Sequence, residues 1–220
     1  MSDPYDDLVR LIKPRPTDVQ GLRYFPDLEP DVSNDQDFPP AGWISPLEVT
    51  DANLDVVRSV VEEMKARNGL HAIMEIGVNR NGERSMSRIL MDERPAECHY
   101  LGVDVDDKSY LDDHDNLLYT VQCSSADQHT VRDKLREMGV GILDLLFIDG
   151  WHSVNMCVND WRYTDLLSDQ GVVILHDTNS HPGCVALFEA VDPWKYEKQR
   201  HCLTADYGIA VFRKIPNGNA

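Results

Sequence analysis

Two runs of apolar residues, each the length of a strand, limit the folds open to this chain more than any other feature. Residues 142–148 read ILDLLFI and residues 171–175 read GVVIL, so both are apolar almost throughout instead of at alternate positions. A strand of this composition is buried on both faces, as in a parallel sheet covered by helices. The two runs therefore predict an α/β protein with helices on both sides of a central sheet.

The rest of the pattern extends this sheet. Further strands are expected at residues 71–76, 100–105 and 117–123, with apolar residues at helical spacing between them. Near the C-terminus, residues 196–203 and 207–212 are joined by only three residues, too few for a crossover helix, so they must form an antiparallel hairpin. The predicted fold is α/β: a doubly wound, mostly parallel sheet of seven strands that ends in an antiparallel hairpin.

The helix before the first of these strands has a recognisable start. In Ser45-Pro46-Leu47-Glu48, the serine and the glutamate are spaced as in a capping box, and proline suits the first helical position. Asn68-Gly69 supplies the expected end. We therefore predict a helix that begins at about residue 45 and stops before Asn68.

Residues 1–44 differ in composition from the rest of the chain. The first forty residues contain seven of the twelve prolines, which prevents a long helix and keeps the backbone extended. Apolar side chains such as Leu8, Phe25 and Trp43 indicate that this acidic, proline-rich arm packs on the domain or on a neighbouring subunit, with a lid as the alternative. The domain is assigned to residues 45–220. Extended arms are a common means of subunit contact, so a homodimer stays open.

The charge and the cysteines limit the partners and the compartment. With 38 acidic and 21 basic side chains, the chain has a net charge of −17, and its cations do not cluster. Phosphate backbones and anionic lipids would be repelled, so we expect neither a nucleic-acid partner nor a membrane partner. Five cysteines without CxxC spacing indicate free thiols in a reducing compartment, and we expect a cytoplasmic protein.

Candidate site residues come from the ends of the predicted strands, because an open parallel sheet binds ligands beyond the carboxyl ends of its strands. The first strand leads into Gly77, where a ligand can approach the backbone closely. Asp104 ends the second strand and can accept hydrogen bonds from the hydroxyls of a ribose. Ser124 and Ser125 follow the third strand and either border an adenine or cap the next helix.

The fourth and fifth strands lead into Asp149 and Asp177, which adjacent strand ends bring into one cleft. Two carboxylates are costly to bury without a cation between them, and a hard divalent ion, Mg²⁺, meets that need. His152 can stay neutral near pH 7 and take a proton from a substrate hydroxyl. For His176 we expect a hydrogen bond to the backbone, and a histidine-rich iron or zinc site is the alternative interpretation.

These segments together resemble the class I S-adenosylmethionine-dependent methyltransferases, and above all the metal-dependent O-methyltransferases of the catechol and macrocin types. The resemblance covers residues 45–214 and implies a Rossmann-like methyltransferase fold that ends in the hairpin. It is carried by Met74-Glu75-Ile76-Gly77, Gly102-Val103-Asp104, Phe147-Ile148-Asp149-Gly150-Trp151-His152, and His176-Asp177-Thr178 followed by His181-Pro182-Gly183.

The resemblance implies S-adenosylmethionine as the cofactor. Glu75 and Gly77 would frame its methionine end, and Asp104 would hold its ribose. The first loop and the other strand ends complete the candidate set. The candidate cofactor-binding residues are Glu75, Gly77, Asn79, Gly82, Ser85, Asp104, Ser124, Ser125 and Asp149.

The resemblance also implies a metal site and a base. Asp149 and Asp177 match metal-ligand positions, and the metal would be Mg²⁺. Thr178 replaces the acid or amide that commonly completes this site, so Asn179 or water would do so. His152 stands where catechol-type enzymes carry a lysine base. The candidate catalytic residues are thus His152 and Asp149, and the candidate metal ligands are Asp149, Asp177, Thr178 and Asn179.

The reaction implied is transfer of a methyl group from S-adenosylmethionine to a hydroxyl of a small molecule or a sugar, assisted by a divalent metal. Two alternatives stay open: non-methylating chemistry on the same fold, as in cephalosporin-hydroxylase-like proteins, and a non-enzymatic binding or assembly module. Nicotinamide-dependent oxidoreduction is disfavoured because the first loop lacks GxGxxG.

Overall fold

The computed structural model describes residues 4–28, 49–79, 84–179, 181–201 and 206–216. Its N-terminal segment forms helix α1 (Pro4–Arg10) and strands β1 (Ile12–Arg15) and β2 (Phe25–Leu28). The following helices and strands, in chain order, are α2 (Asp51–Ala66), β3 (Ala72–Ile76), α3 (Met86–Asp92), β4 (His99–Asp104), β5 (Leu118–Gln122), α4 (Gln128–Glu137), β6 (Leu143–Ile148), α5 (Val154–Trp161), β7 (Leu167–His176), α6 (Pro182–Ala190), β8 (Tyr196–His201) and β9 (Ile209–Lys214).

The central sheet has seven strands in the order β5-β4-β3-β6-β7-β9-β8. The five strands from β3 to β7 run parallel, whereas β9 pairs antiparallel with both β7 and β8. This arrangement confirms the predicted fold class, including the terminal hairpin. Strand β3 has β4 on one side and β6 on the other, so the order of the sheet reverses there. A ligand of an α/β sheet binds at such a switch point.

Alternation along β3 divides the core between the two faces of the sheet. Ala72, Met74 and Ile76 pack in one apolar cluster with residues of α4, α5 and α6. Ile73 packs in a second cluster on the opposite face, with residues of α2 and α3. Because successive side chains of a strand point to opposite faces, each residue of β3 is assigned to one cluster by its position alone. This alternation decides below which strand residues can reach the site.

Helix α2 begins at Asp51, later than the sequence predicted. Thr50 is its N-cap: the Thr50 side chain accepts a hydrogen bond from the Asn53 backbone N–H, and the Asn53 side chain accepts one from the Thr50 N–H. Thr50 has an extended backbone, so the helix cannot continue through it towards residue 45. The predicted start, residues 45–48, lies outside the described residues. After the helix, Asn68 has a φ of 51°, as a stop signal requires.

Residues 4–28 pack against α5 and α6. The Trp161 indole N–H donates to the Gln20 carbonyl (3.1 Å), and the Arg23 backbone N–H donates to the Ala190 carbonyl (2.9 Å). Helix α1 is short, and β1 and β2 pair antiparallel with each other. The predicted boundary between arm and domain, at residues 44 and 45, lies outside the described residues. None of the described helices has the length and apolar content needed to cross a membrane.

Candidate functional site

A cavity of about 410 Å³ lies at the carboxyl ends of β3, β4 and β6, beside the switch point of the sheet. Its volume is in the range of small-molecule and cofactor sites. Four residues predicted from the sequence line it: Gly77, Asp104, Ser124 and Ser125. The full lining comprises Ile76, Gly77, Val103, Asp104, Val105, Cys123, Ser124, Ser125, Gly150, Trp151 and Met156.

Gly77 allows two loops of the site to approach each other closely. It has a φ of +85°, a conformation that other residues rarely adopt, and a Cβ atom there would lie 2.1 Å from the carbonyl oxygen of Asp149. The Gly77 N–H donates to the Val103 carbonyl (2.9 Å), which fixes the turn against β4. The turn after β3 therefore presents bare backbone to the cavity.

Asp104 is held by backbone donors on both of its oxygens. Oδ2 accepts a hydrogen bond from the Val78 N–H (2.8 Å), and Oδ1 accepts one from the Asp106 N–H (2.8 Å). The Lys108 ammonium lies 3.8 Å away. These contacts orient the Asp104 carboxylate. Because each of its oxygens can accept more than one hydrogen bond, it can still accept hydrogen bonds from hydroxyl groups of a ligand in the cavity.

The segment that follows β5 is fixed from behind. The cap of α4 is Asp127, whose side chain accepts from the Thr130 N–H (3.1 Å), so neither serine is the N-cap of that helix. The Ser125 side chain hydrogen-bonds to the buried Asp160 carboxylate, and its carbonyl accepts from the Tyr163 hydroxyl (2.7 Å). These contacts hold this edge of the cavity in place.

Glu75 does not line the cavity, which corrects the expectation of a direct cofactor contact. It lies on the same face of β3 as Ile73, whereas the cavity is on the face of Ile76, one residue away. Glu75 is 1% exposed and accepts hydrogen bonds from the Ser87 and Tyr100 hydroxyls. Burial raises the pKa of Glu75 to about 8, so it is largely neutral at pH 7.

The other candidates of the first loop lie apart from the large cavity. Asn79, Ser85 and Asp149 line a separate cavity of about 20 Å³. Ser85 is the N-cap of α3, and its hydroxyl donates to the Asn79 carbonyl (2.5 Å), so it closes the loop on itself. Gly82 lies outside the described residues.

Beyond β6 and β7, five titratable side chains form an acid–histidine cluster: Asp149, His152, His176, Asp177 and His181. His176 Nδ1 lies between the two carboxylates, 3.0 Å from Asp149 Oδ1 and 3.2 Å from Asp177 Oδ2. His152 Nε2 is 2.7 Å from the same Asp177 oxygen. The His152 and His181 rings stack at 4.1 Å. The predicted backbone hydrogen bond of His176 is therefore wrong, because its Nδ1 faces two carboxylates.

The two carboxylates of the cluster have different electrostatic surroundings. Burial raises the pKa of Asp149, and its contact with His176 offsets this only in part. Burial would also raise the pKa of Asp177, but the His176 and His152 imidazoles overcome this and hold the pKa well below its usual range. Asp177 is thus the more firmly ionised of the pair. It also has a φ of 60°, a left-handed conformation that is uncommon for residues other than glycine.

The expected neutrality of His152 is also corrected. Burial lowers its pKa, but the hydrogen bond and the charge of Asp177 more than reverse this and raise the pKa to about 10. The ring in this arrangement carries a proton near neutral pH. The sequence could not reveal this, because it does not show that the nearest neighbour of His152 is Asp177.

No protein-family model and no curated protein matches the chain. Solved structures do. The MycE methyltransferase from the mycinamycin biosynthetic pathway, in complex with Mg, SAH and mycinamycin VI, matches with a TM-score of 0.53 and 16% identity over 74% of this chain and 50% of MycE. The chain thus spans about half the length of MycE. The calicheamicin methyltransferase CalS11 matches with a TM-score of 0.50 and 12% identity, over 78% of this chain and 82% of CalS11.

The chain has a methyltransferase fold. In this fold the large cavity lies at the switch point, and the acid–histidine cluster follows the two neighbouring strands β6 and β7. The likeness concerns the fold, so the roles of individual residues rest on the geometry of this chain.

Asn179, a metal-ligand candidate from the sequence, contacts the loop before β9. Its Nδ2 donates to the Asp206 carbonyl (2.7 Å), and its backbone N–H donates to the Tyr207 carbonyl (2.8 Å). A Cβ atom on Gly208 would lie 2.7 Å from Asn179 Oδ1, so this oxygen packs against the loop before β9. These contacts hold Asn179 against that loop, and its role as a metal ligand stays a prediction. The neighbouring Thr178 is fully buried, and its hydroxyl has no hydrogen-bond partner among the described residues.

Sequence reasoning missed Asp160 altogether. This acid is 0% exposed and lies in α5 among the buried Cys157, Val158 and Trp161. Burial raises the pKa of Asp160 to about 7. An acid on the apolar face of a predicted helix was the signal that could have identified it.

Proposed function

We propose that this protein is an S-adenosylmethionine-dependent methyltransferase that acts on a hydroxyl group of a small molecule. One juxtaposition chiefly supports the proposal: the cavity at the switch point lies next to the acid–histidine cluster. Gly150 and Trp151, which line the cavity, connect Asp149 to His152 in the chain. Cofactor and acceptor could thus meet at the carboxyl ends of β6 and β7.

The cavity offers what S-adenosylmethionine requires. Gly77 exposes backbone, Asp104 can accept hydrogen bonds from ribose hydroxyls, and apolar side chains such as Val103 and Met156 can contact an adenine. The presence of SAH in the MycE structure supports this assignment.

The cluster also fits a divalent cation. One donor atom each from Asp149, His176 and Asp177 lie within 4.8 Å of one another. Asp177 Oδ1 is buried and has no hydrogen-bond partner among the described residues, so it has a lone pair to offer. Asp149, His176 and Asp177 would hold the cation, which would supply Lewis-acid polarisation of an acceptor hydroxyl and would offset the charge of Asp177.

In the proposed reaction the protein aligns two reactants and removes a proton. The sulfonium methyl is already activated, so rate depends on holding the acceptor oxygen in line with it. His152 is placed to take the hydroxyl proton, since its side chain is 23% exposed and lies beside Asp177. It can do so only once the charge of Asp177 is offset, because Asp177 otherwise keeps the ring protonated.

Calorimetric titration with S-adenosylhomocysteine tests the cofactor site. Asp104→Asn removes the charge that would accept the ribose hydroxyls, and we expect Kd to rise about 10- to 100-fold. Asp106→Asn is the matched control: it removes the same charge two residues away, from an exposed side chain that does not line the cavity, and should leave Kd within about twofold.

Equal Kd values for both variants would remove Asp104 from the site. If S-adenosylhomocysteine does not bind the native protein at all, the proposed function fails and a binding or assembly module is favoured.

A further inference from the structure

His176 Nδ1 is spaced from a carboxylate oxygen of Asp149 and from one of Asp177 like a ligand that shares a metal ion with them. Ligands about 2.1 Å from an ion are about 3.0 Å apart at an octahedral angle and about 3.4 Å apart at a tetrahedral angle. His176 Nδ1 lies 3.0 Å from Asp149 Oδ1 and 3.2 Å from Asp177 Oδ2, inside that interval. An ion could therefore replace the proton that His176 otherwise shares with the two carboxylates, with little movement of the side chains.

The nitrogen in this set decides which ion fits. Mg²⁺ takes oxygen ligands and retains water, whereas imidazole suits zinc, iron, nickel and copper. We infer that His176 is a metal ligand and that, with Asp149 and Asp177, it selects a transition-metal dication of the zinc and ferrous-iron class over Mg²⁺. The inference rests on the metal site of the proposed function and changes the identity of its metal.

Two further observations concern Asp177. Its Oδ1 is buried without a hydrogen-bond partner among the described residues, although the residue is only 3% exposed. Its backbone is held at a φ of 60°, a conformation that costs free energy for a residue with a Cβ atom. The oxygen that faces His176 is Oδ2, and an ion that the Asp177 carboxylate binds through both oxygens would also supply the contact that Oδ1 lacks.

A second donor set shares Asp177 and must be distinguished from the first. Donor atoms of His152, Asp177 and His181 also lie within 4.8 Å of one another. His181 Nε2 is 3.9 Å from Asp177 Oδ1, which is longer than the separation of two ligands of one ion at tetrahedral angle. Both contacts of His176 Nδ1 are shorter than this, so the set that contains His176 is favoured, and it leaves His152 available as the base.

The test uses the full-length protein loaded with Co²⁺, a spectroscopic substitute for Zn²⁺. Proton NMR of the Co²⁺ protein detects the ring N–H of each bound imidazole as a strongly shifted resonance. We expect such a resonance in the native protein, its loss in His176→Gln, and its retention in His152→Gln and in His181→Gln. His129→Gln, which removes an exposed histidine of α4, is the matched control and should change nothing.

Equilibrium dialysis supplies the second measurement. The native protein should bind Zn²⁺ at least 100-fold more tightly than Mg²⁺, and His176→Glu, which restores an all-oxygen set, should narrow that ratio at least tenfold. A native protein without a shifted imidazole resonance overturns the inference, and so does a resonance that disappears in His152→Gln or His181→Gln instead of His176→Gln. The first of these results is measured on the native protein, so it would overturn the inference even if every variant misfolded.

Titration with S-adenosylhomocysteine separates the two proposals. Cofactor binding together with an oxygen-only metal site would overturn the inference about His176 and leave the proposed function standing. A metal ion bound by the His176 imidazole, in a protein that does not bind the cofactor, would overturn the proposed function and leave the inference about His176 standing.

Discussion

At the scale of single residues, Asp160 is the clearest case of a polar group retained at a cost. Its Oδ2 has no hydrogen-bond partner among the described residues, and it lies close to Gly150, where a Cβ atom would come within 3.6 Å. Gly150 also lines the large cavity. Asp160 thus supports Ser125 and lies close to the cavity wall, while its own carboxyl group is shielded from water.

This burial predicts how stability depends on pH. The pKa of Asp160 is raised to about 7 in the folded protein, above its unfolded value near 3.8, so the folded state binds more protons between these values. The free energy of unfolding should therefore fall as pH rises, by about 3 kcal/mol from pH 5 to pH 8 through this residue. Asp160→Asn should remove this fall, as measured by urea denaturation at several pH values.

Asp169→Asn provides the comparison, because it removes an exposed acid of β7. The pH profile of its free energy of unfolding should run parallel to that of the native protein. A profile of Asp160→Asn that also runs parallel would show that Asp160 is not the buried acid that the structure describes.

Sequence reasoning placed correctly the residues whose position depends on a strand end alone. Gly77 and Asp104 directly follow or end buried strands, and every parallel strand end faces the same edge of the sheet. It failed where the role depends on direction or on a neighbour. Glu75 points to the wrong face of β3, and the charge of His152 is set by Asp177, which is 25 residues away in the chain.

At the scale of elements, the junction between α2 and the loop before β9 links a helix cap to the site. The Thr50 hydroxyl accepts from the Asn53 N–H and donates to Asp206 Oδ2 (2.7 Å). Asp206 is buried, and its carbonyl holds the Asn179 side chain. One helix cap is therefore part of the network that positions the end of β7.

Thr50→Ala should lower the free energy of unfolding by about 2 kcal/mol, because it removes the cap and leaves a buried carboxylate oxygen short of a donor. Thr50→Ser keeps the hydroxyl and should stay within about 0.5 kcal/mol of the native protein. Urea denaturation measures both. If serine is as damaging as alanine, the lost methyl group and not the hydroxyl is responsible.

The elements themselves were predictable to different degrees. The strands followed from composition, since β6 and the end of β7 are apolar almost throughout and fit only a sheet that is covered on both faces. The start of α2 could not be predicted in this way, because two capping boxes lie within nine residues. Only the backbone of Thr50 shows which of them the helix uses.

At the scale of the whole molecule, the excess of negative charge should weaken the fold at low ionic strength. The chain has a net charge of −17, and residues 104–115 contain six aspartates and one lysine. Raising NaCl from about 20 mM to about 300 mM shortens the screening length severalfold and should raise the free energy of unfolding by roughly 1 kcal/mol. Urea denaturation at both salt concentrations, with an unchanged m value, is the measurement.

The combined variant Asp106→Asn and Asp115→Asn shows whether this segment contributes. Both side chains are exposed, so the variant should be more stable than the native protein at low salt and should gain less from added salt. An identical gain in both proteins would mean that the repulsion arises elsewhere in the molecule.

Because residues 4–28 pack on α5 and α6, their packing cannot be completed until those later helices have been synthesised. This segment leaves the ribosome before α5 and α6, but the groups that satisfy Gln20 and Arg23 belong to Trp161 and Ala190. At about 5 to 20 residues per second, the intervening stretch of about 160 residues takes roughly 10 to 30 s to synthesise. For that interval the apolar side chains of the segment lack the partners that α5 and α6 provide, and a chaperone that shields them would act on this segment until α6 is made.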